Sequence, residues 1–391
     1  MKLNDAWRAT LFLSAFFYAF GIQLAYLPVW LEAARGLSGI EISCVIFGAS
    51  IGRLVSGPVL AAWVDGQTAR NASMRLALGA ALGFTALMFA TGPVMMIGAG
   101  FVALSIVYGI GPASEAALMH AVSERPQGIN FGQGRAMSSA SFVLGVFSGG
   151  ALIEHIGAHA IMWALIVLFA ALVGLGWFSP RYALGTPGGV LSFKERFAKG
   201  GRIFRRPTLF LLLLSTGPIQ ASHAFYYAFS SVVWEQQGFS GSVIGLLWGT
   251  GVVIEIVLLV FYERLPKWVT PQRLILAGAA GAVVRWTWYG LAPEPGLTFV
   301  LQNLHALSFA ATYVGTIQII RRDVDKEDRT VALTLQAALT TGVLTGLVGL
   351  VGGAVYDAHA EKGYWVMAAM AAIGIFFALL MMYRIATRPP R

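Results

Sequence analysis

Twelve apolar stretches, each about as long as a membrane-crossing helix, follow one another along this chain of 391 residues. A hydrocarbon core about 30 Å thick requires roughly 20 helical residues per crossing. The predicted spans are 9–31, 41–63, 74–92, 94–118, 133–153, 159–179, 207–236, 241–262, 272–292, 296–320, 329–353 and 363–384. Because 57% of the residues are hydrophobic and 12% charged, a water-soluble fold of this size could not bury the apolar surface. The runs lack the period-two alternation of barrel strands, so the sequence predicts an all-α integral membrane protein.

The sequence also carries a sign of internal duplication. The triplet Leu37-Ser38-Gly39 precedes the second span, and Phe239-Ser240-Gly241 precedes the eighth at an offset of 202 residues. Six spans lie on each side of the longest polar connection, which is rich in Lys and Arg. We therefore predict two pseudo-symmetric six-helix bundles, 1–179 and 207–391, joined by a cytoplasmic linker, 180–206. Within the linker, 190–204 mixes apolar and basic residues, which favours a short amphipathic helix at the membrane surface.

Charged residues inside the spans are the first candidates for a transport pathway. Under the same offset Arg53 is equivalent to Glu255, and a charge in mid-bilayer is costly enough to indicate function. Desolvation of a buried carboxylate favours its protonated form, as proton coupling requires, so Glu255 is a candidate proton-coupling residue. A fixed counter-ion for a basic residue is the alternative. His305 is a second candidate, with a histidine satisfied by a backbone carbonyl as its alternative.

Polar and basic side chains within spans are candidates for substrate binding. Arg53 and Arg285 provide fixed positive charge. Arg53 would bind an anionic group or neutralise a carboxylate, whereas Arg285 would contact the substrate or else serve in helix packing or an ion pair. Polar residues at helical spacing in the first, seventh and tenth spans would line a cavity or form hydrogen bonds between helices. These are Gln23 and Tyr26; Gln220, His223, Tyr226 and Tyr227; and Gln302 and Asn303, which flank His305.

Four charged residues near the cytoplasmic ends of spans are candidates for a gate. Glu115 lies late in the fourth span and Arg135 opens the fifth, so we expect a salt bridge that breaks on opening, or else a permanent tie between helices. Glu115 is in addition a third candidate for proton coupling. Asp65 and Arg70, between the second and third spans, complete the set.

The net charge of +9 reflects membrane topology. With a cytoplasmic N-terminus, the 27 Lys and Arg all fall in cytoplasmic termini and loops or at the cytoplasmic ends of spans, except for Arg35 and Lys362 outside and Arg53 and Arg285 farther inside spans. This bias predicts cytoplasmic termini in a bacterial inner membrane, with membrane lipids rather than nucleic acid as partners of the basic loops. We expect a monomer.

No motif of an enzyme is present at suitable spacing. Nucleophile triads, phosphate-binding loops, dinucleotide fingerprints and Cys/His metal patterns are absent from the sequence. We therefore expect no enzymatic activity, no cofactor and no metal, and no ATP-driven transport by this chain alone. An ion channel is disfavoured because no filter-like loop is visible.

Several short segments, taken in chain order, resemble one transporter family. They are Gly36-Leu37-Ser38, Phe131-Gly132-Gln133-Gly134-Arg135, His223-Ala224-Phe225-Tyr226-Tyr227, Gly245-Leu246-Leu247-Trp248 with Glu255, Val284-Arg285-Trp286, Leu301-Gln302-Asn303-Leu304-His305-Ala306 and Gly352-Gly353-Ala354-Val355-Tyr356-Asp357. With the twelve spans and long middle loop, the chain resembles the major facilitator superfamily and, within it, the branch of 3-phenylpropionic acid permease-like proton symporters. The family's loop motif after the second span is degraded here to Ala61, Trp63, Asp65, Gly66 and Arg70.

This resemblance implies a central cavity between two bundles, alternating access and uptake driven by a proton gradient. We therefore predict a proton-coupled importer of a small organic solute, preferably an aromatic or other carboxylate because of the two embedded arginines. Uptake of an uncharged sugar or nucleoside and efflux of a drug or metabolite remain open. A membrane receptor or lipid-handling scaffold is the alternative that transports nothing.

Overall fold

A computed structural model of the protein describes residues 4–124, 128–184 and 193–387. The side chains at 53–56, 58, 61, 62, 65, 124, 193, 194, 196 and 197 lie outside this description. The described part is helical, and its β-type pairing is limited to an isolated bridge between Thr68 and Ala183. The prediction of an all-α protein is therefore confirmed.

Sixteen α-helices are present in the described residues. They are α1 Asp5–Val29, α2 Gly39–Asp65, α3 Ala69–Phe89, α4 Pro93–Glu124, α5 Phe131–Ile156, α6 His159–Gly176, α7 Phe193–Phe204, α8 Pro207–Ala221, α9 Ala224–Gln236, α10 Gly241–Phe261, α11 Pro271–Tyr289, α12 Pro295–Gln302, α13 Thr312–Asp323, α14 Arg329–Ala337, α15 Thr345–His359 and α16 Gly363–Ala386. Three π-helical turns, Trp30–Ala34, Ala306–Ala311 and Ala338–Leu344, continue or join them. Each of the twelve predicted spans coincides with one or more of these helical segments.

Seven helical stretches in the described part are long and apolar enough to cross a membrane. One of them, Lys326–Ala386, covers the eleventh and twelfth predicted spans, and the second, seventh, ninth and tenth predicted spans are not among the seven. Two of these four are divided into shorter helices. The seventh, 207–236, forms α8 and α9, and the tenth, 296–320, forms α12, a π-helical turn and α13. Apolar length therefore locates the spans, whereas the breaks within them depend on particular residues.

The break between α8 and α9 is held by side chains. In an uninterrupted helix the carbonyl of Ile219 would accept from the backbone N–H of His223. That N–H instead donates to the carbonyl of Gln220. The Ile219 carbonyl accepts from Oγ of Ser222 at 2.7 Å and lies 3.1 Å from Nδ1 of His223. The break thus fixes the orientation of the His223 ring.

The two triplets of the internal repeat form the same local structure. Gly36 and Gly238, which precede them, adopt the left-handed conformation with φ of 65° and 84°. Glycine accepts this conformation without a Cβ clash. The hydroxyls of Ser38 and Ser240 each accept from the backbone N–H three residues later, at 3.5 and 3.4 Å. The repeated letters therefore encode a repeated turn and helix cap.

Contacts divide the chain into two compact units, and unit 1 comprises Met1–Val190 with Ser230–Gly249. Within it α1 packs along α5, and α3 packs against α4 and α6. The first half of α10 also packs against α5, because a Cβ on Gly150 or Gly241 would overlap the carbonyl of the other residue. The predicted boundaries, 1–179, 180–206 and 207–391, stay a prediction.

Unit 2 comprises Leu191–Phe229 with Thr250–Arg391. In this unit α11 packs against α16 and α13, and α16 packs against α8. Leu212, Ile275 and Met381 belong to its apolar core and have no exposed surface. These packed helices carry most of the polar side chains that the sequence singles out.

The helix predicted within 190–204 is present as α7 in unit 2. Its Lys199 forms a salt bridge with Asp328, and Gly200 lies against Leu335 of α14. The helix is therefore anchored on α14, and its position at a membrane surface stays a prediction.

Candidate functional site

Glu255, Arg285 and His305 form one series of side-chain contacts within unit 2, called the contact chain below. Glu255 lies on α10, Arg285 on α11, and His305 directly before the π-helical turn that precedes α13. Nη1 of Arg285 lies 3.0 Å from Nδ1 of His305, and Nε2 of His305 lies 3.7 Å from Oε2 of Glu255. An imidazole thus connects the guanidinium to the carboxylate, so the charge state of one end affects the other.

Local packing orients the His305 ring. A Cβ on Gly251 would lie 3.5 Å from its Cδ2, so the ring rests against α10 one turn before Glu255. On its other side Phe309, within the π-helical turn, stacks on the ring with centroids 5.4 Å apart and planes at 9°. The glycine leaves room for the ring and the phenylalanine restricts its rotation. His305 is thereby held between α10 and α11.

Arg285 has no exposed surface, and neutral groups surround it. Nη2 donates to Oε1 of Gln302, while Nε2 of Gln302 donates to the hydroxyl of Tyr226 at 3.2 Å. The rings of Tyr226, Trp286 and Tyr289 lie 4.4, 4.5 and 5.4 Å from the guanidinium carbon. Within the described residues Nε of Arg285 has no hydrogen-bond acceptor. A buried cation with these neighbours depends on a more distant negative charge.

The predicted polar stripe of the seventh span is buried in unit 2. Besides the Ile219 carbonyl, His223 contacts Oγ of Ser308 through Nε2 at 3.1 Å. Its ring lies 5.6 Å from that of His305 and 5.9 Å from that of Tyr227. His223 and Tyr226 therefore border the contact chain. Gln220 is also buried, and its role in substrate binding stays a prediction.

The adjacent amides of the tenth span have different surroundings. Gln302 is buried and bonded to Arg285, whereas Asn303 is exposed and donates to the carbonyls of Phe299 and Val300 at 3.0 and 3.1 Å. Successive helical residues point about 100° apart, so only one of the two faces α11. The structure does not bring Asn303 to the site.

The candidates in the first span lie in unit 1. The hydroxyl of Tyr26 donates to the carbonyl of Val146 at 2.9 Å, and Gln23 is buried with no described partner for its Oε1. Tyr26 also borders a cavity of about 270 Å³. The remaining lining residues are Val29, Ile153, Glu154, Glu235, Phe239, Ser240, Gly241 and Ile244.

The salt bridge expected between Glu115 and Arg135 is present in unit 1. Nη1 of Arg135 lies 3.1 Å from Oε1 of Glu115, and the two side chains are 33% and 40% exposed in that order. The guanidinium also lies over the ring of Phe17, 4.6 Å from its centroid. Partial exposure allows the pair to separate at small cost, as a gate would require.

Of the three remaining charged candidates, the structure describes the side chain of Arg70 but not those of Arg53 and Asp65. The guanidinium of Arg70 lies 3.2 Å from the ring centroid of Trp177 at the end of α6, so it is engaged within unit 1. The roles of Arg53 and Asp65 stay predictions.

One helix cap was not predictable because Glu154 resembles an ordinary charged residue at the edge of a span. The carboxylate of Glu154 accepts from the backbone N–H of Ser242 at 2.9 Å and so caps α10. A carboxylate satisfies the free donors of a helix N-terminus. The acidic residue and the helix start were both visible in the sequence, but their proximity depends on the packing of α5 against α10.

The arrangement in unit 2 suits proton and anion binding. Glu255 can hold a proton, Arg285 can bind a carboxylate, and His305 joins them. In the described ranges no group of three or more His, Cys, Asp or Glu side chains is placed to hold a metal ion.

Known proteins that resemble this chain in sequence or fold are transporters. Residues 6–367 match the model of the MFS_1 like family. The chain is 24% identical over 369 residues to a probable 3-phenylpropionic acid transporter of Escherichia coli (strain K12), covering 92% of this chain and 94% of that protein. It is 25% identical over 352 residues to a maltose permease of Geobacillus stearothermophilus, covering 88% and 86%. The crystal structure of nucleoside transporter NupG has a TM-score of 0.84 at 13% identity, covering 99% of this chain and 100% of that one, which shows a shared fold.

Proposed function

The chain belongs to the MFS_1 like family of membrane transporters, and we propose that it takes up a small organic carboxylate together with protons by alternating access. Its fold is the major facilitator fold, an all-α multi-pass membrane architecture. The observation that carries the proposal is the chain of contacts from Arg285 through His305 to Glu255.

Charge balance supports coupling between a proton and an anion. Arg285 stays charged, since a guanidinium keeps its proton in proteins. With Glu255 ionised, the contact chain is neutral overall. When Glu255 takes up a proton, the positive charge of Arg285 loses its counter-charge in a region of low dielectric. A substrate carboxylate restores neutrality, so protonation of Glu255 and anion binding favour each other.

The surroundings of Arg285 support an aromatic carboxylate. Tyr226, Trp286 and Tyr289 offer ring surface beside the guanidinium, and stacked or edge-to-face ring contacts stabilise aromatic ligands. The name of the Escherichia coli relative, which refers to 3-phenylpropionic acid, agrees with this class. A single negative charge and one proton would make the transport step electroneutral.

A hydroxylated solute has less support at this site, although one relative is a maltose permease. The amide of Gln302 is already bonded to Arg285 and Tyr226, and the amide of Asn303 is bonded to its own helix. Gln23, with a buried and unbonded Oε1 in the described structure, is the first-span candidate for substrate contact, next to Tyr26.

The proposal also covers the location of the protein in the membrane and its cytoplasmic gate. The protein would lie in a bacterial inner membrane as a monomer with both termini in the cytoplasm, supported by the distribution of Lys and Arg. The bridge between Glu115 and Arg135 would open and close at the cytoplasmic side.

Transport by purified protein in proteoliposomes tests the proposal. We expect radiolabelled 3-phenylpropionate or benzoate to accumulate when the interior is made alkaline, beyond the passive accumulation of these weak acids in protein-free liposomes, with the excess abolished by a protonophore. Maltose and uridine serve as neutral comparison solutes. Gradient-driven accumulation of either neutral solute, without the carboxylates, would overturn the substrate class. Accumulation of the carboxylates that ignores the pH gradient would overturn proton coupling.

A further inference from the structure

His305 contacts charged or titratable groups on every helical segment packed around it. Arg285 of α11 faces Nδ1, and Glu255 of α10 faces Nε2. His223, at the junction of α8 and α9, and Tyr226 of α9 lie beside the ring, with centroids 5.6 and 5.9 Å away. The two ring nitrogens therefore have unlike partners, and this difference fixes the state of the ring.

The partner of Nδ1 decides where the ring proton lies. A guanidinium has five N–H donors and no acceptor. At 3.0 Å from Nη1 of Arg285, Nδ1 of His305 must accept through its lone pair. A neutral imidazole has one protonated nitrogen, so the proton of His305 is on Nε2, directed toward Oε2 of Glu255.

A second proton on this ring would compete directly with Arg285. It would occupy the Nδ1 lone pair, remove the hydrogen bond and place two N–H groups and two positive charges face to face. His223 adds no negative charge, since an imidazole is either neutral or positive; its Nδ1 faces the carbonyl of Ile219 and its Nε2 faces the hydroxyl of Ser308. The only carboxylate in the contact chain is that of Glu255, on the far side of the ring.

We propose that His305 carries no transported proton and is instead a positioning residue, a neutral ring that joins Arg285 to Glu255 while Glu255 alone takes up and releases the proton. This inference rests on the proposed function and assigns separate roles to two residues that the sequence left as equal candidates. It makes the hydrogen-bonding groups of the neutral His305 ring its essential property and its basicity dispensable.

Amide substitutions separate these two properties. The carbonyl oxygen of Asn can occupy the place of Nδ1, and the longer Gln can place its N–H where Nε2 lies, whereas neither titrates. Phe keeps a ring without any acceptor. In proteoliposomes with labelled 3-phenylpropionate, we expect His305→Asn or His305→Gln to accumulate substrate with the wild-type pH midpoint at a rate reduced a few-fold, and His305→Phe to lose transport.

Two outcomes in the amide variants would contradict the proposal. If both amide variants exchange substrate in counterflow but accumulate none under a pH gradient, His305 is a proton carrier and the proposal fails. A displaced pH midpoint in either variant would overturn it as well. Failure of the proposed function is separate, since it appears in the wild-type protein as absence of pH-driven accumulation.

A spectroscopic measurement on the wild-type protein keeps the test independent of the transport activity of the variants. The chain has six histidines, so ¹⁵N-histidine labelling gives few signals. That of His305 is assigned by its loss in His305→Asn or His305→Gln. We expect a neutral ring protonated at Nε2 from about pH 5 to pH 8, the range in which histidine ordinarily titrates. An imidazolium signal from His305 within that range would refute the proposal.

Discussion

Glu255 and His305 are 3.7 Å apart, Oε2 to Nε2, although 50 positions of sequence separate them. The carboxylate belongs to α10, and the imidazole lies directly before the π-helical turn Ala306–Ala311 that follows α12. Because Arg285 holds the other ring nitrogen, a change in the proton content of Glu255 alters the electrostatic balance of the whole contact chain.

Replacing Glu255 by Gln should separate exchange from accumulation. The amide has nearly the same shape but takes up no proton in this range, so uptake against a concentration gradient should be lost while counterflow exchange of the labelled carboxylate continues. Both are measured in proteoliposomes. Glu263→Gln, an exposed residue just beyond α10, is the matched control and should behave as wild type. Retained pH-driven accumulation in Glu255→Gln would remove this residue from the coupling mechanism.

Replacing Arg285 by Lys should weaken carboxylate binding even though the charge is kept. The ammonium group does not reproduce the planar fork that contacts His305 and Gln302. A hydrogen bond to a charged group is worth about 1.5–3 kcal/mol, so we expect the KM for carboxylates to rise about 10-fold or more. Arg264→Lys provides the control, because Arg264 is exposed and does not belong to the contact chain. An unchanged KM would argue against Arg285 as the anion site.

The pair Glu115 and Arg135 should matter more for transport than for stability. Partly exposed ion pairs contribute about 0.2–1 kcal/mol, so Glu115→Gln should shift thermal unfolding only slightly. If the bridge gates the pathway, the same variant changes the rate of exchange, and the charge reversal Glu115→Arg with Arg135→Glu partly restores it. Lys199→Gln breaks a comparable pair elsewhere and should leave exchange unchanged. Wild-type exchange in Glu115→Gln would identify the bridge as a permanent tie.

Replacing Glu154 by Gln should destabilise the packing of α5 against α10. The carboxylate accepts from the N–H of Ser242, and a negative charge at a helix N-terminus contributes about 0.3–1 kcal/mol, which the neutral amide loses. We expect a lower unfolding temperature in detergent for Glu154→Gln. Glu235→Gln is the control, because Glu235 lines the same cavity without an observed cap. Equal unfolding temperatures for the two variants would show that the cap contributes little.

The spans were predictable because membrane insertion imposes a simple requirement of length and apolarity. The break at Ser222 and His223 was not, since it depends on which side chain takes over the Ile219 carbonyl. The π-helical turn after His305 likewise leaves no mark in the apolar pattern. Such details are decided by local hydrogen bonding rather than by average hydropathy.

The sequence predicts which residues belong to the site better than it predicts which of them contact one another. Glu255, Arg285 and His305 each stood out because polar groups are costly in a bilayer. Their mutual contacts involve three helical segments, and one sequence does not state which faces meet. Gln302 and Asn303 show the limit: both were equal candidates, yet their different directions on the helix bring only Gln302 to Arg285.

The matching left-handed turns at Gly36 and Gly238 have a consequence for the internal repeat. Under the internal duplication that the sequence predicts, both copies keep the geometry that starts a helix, whereas the equivalent positions farther along differ, with Arg53 in one and Glu255 in the other. Backbone geometry at the helix start is thus more alike between the two copies than the charge carried deeper in the helix.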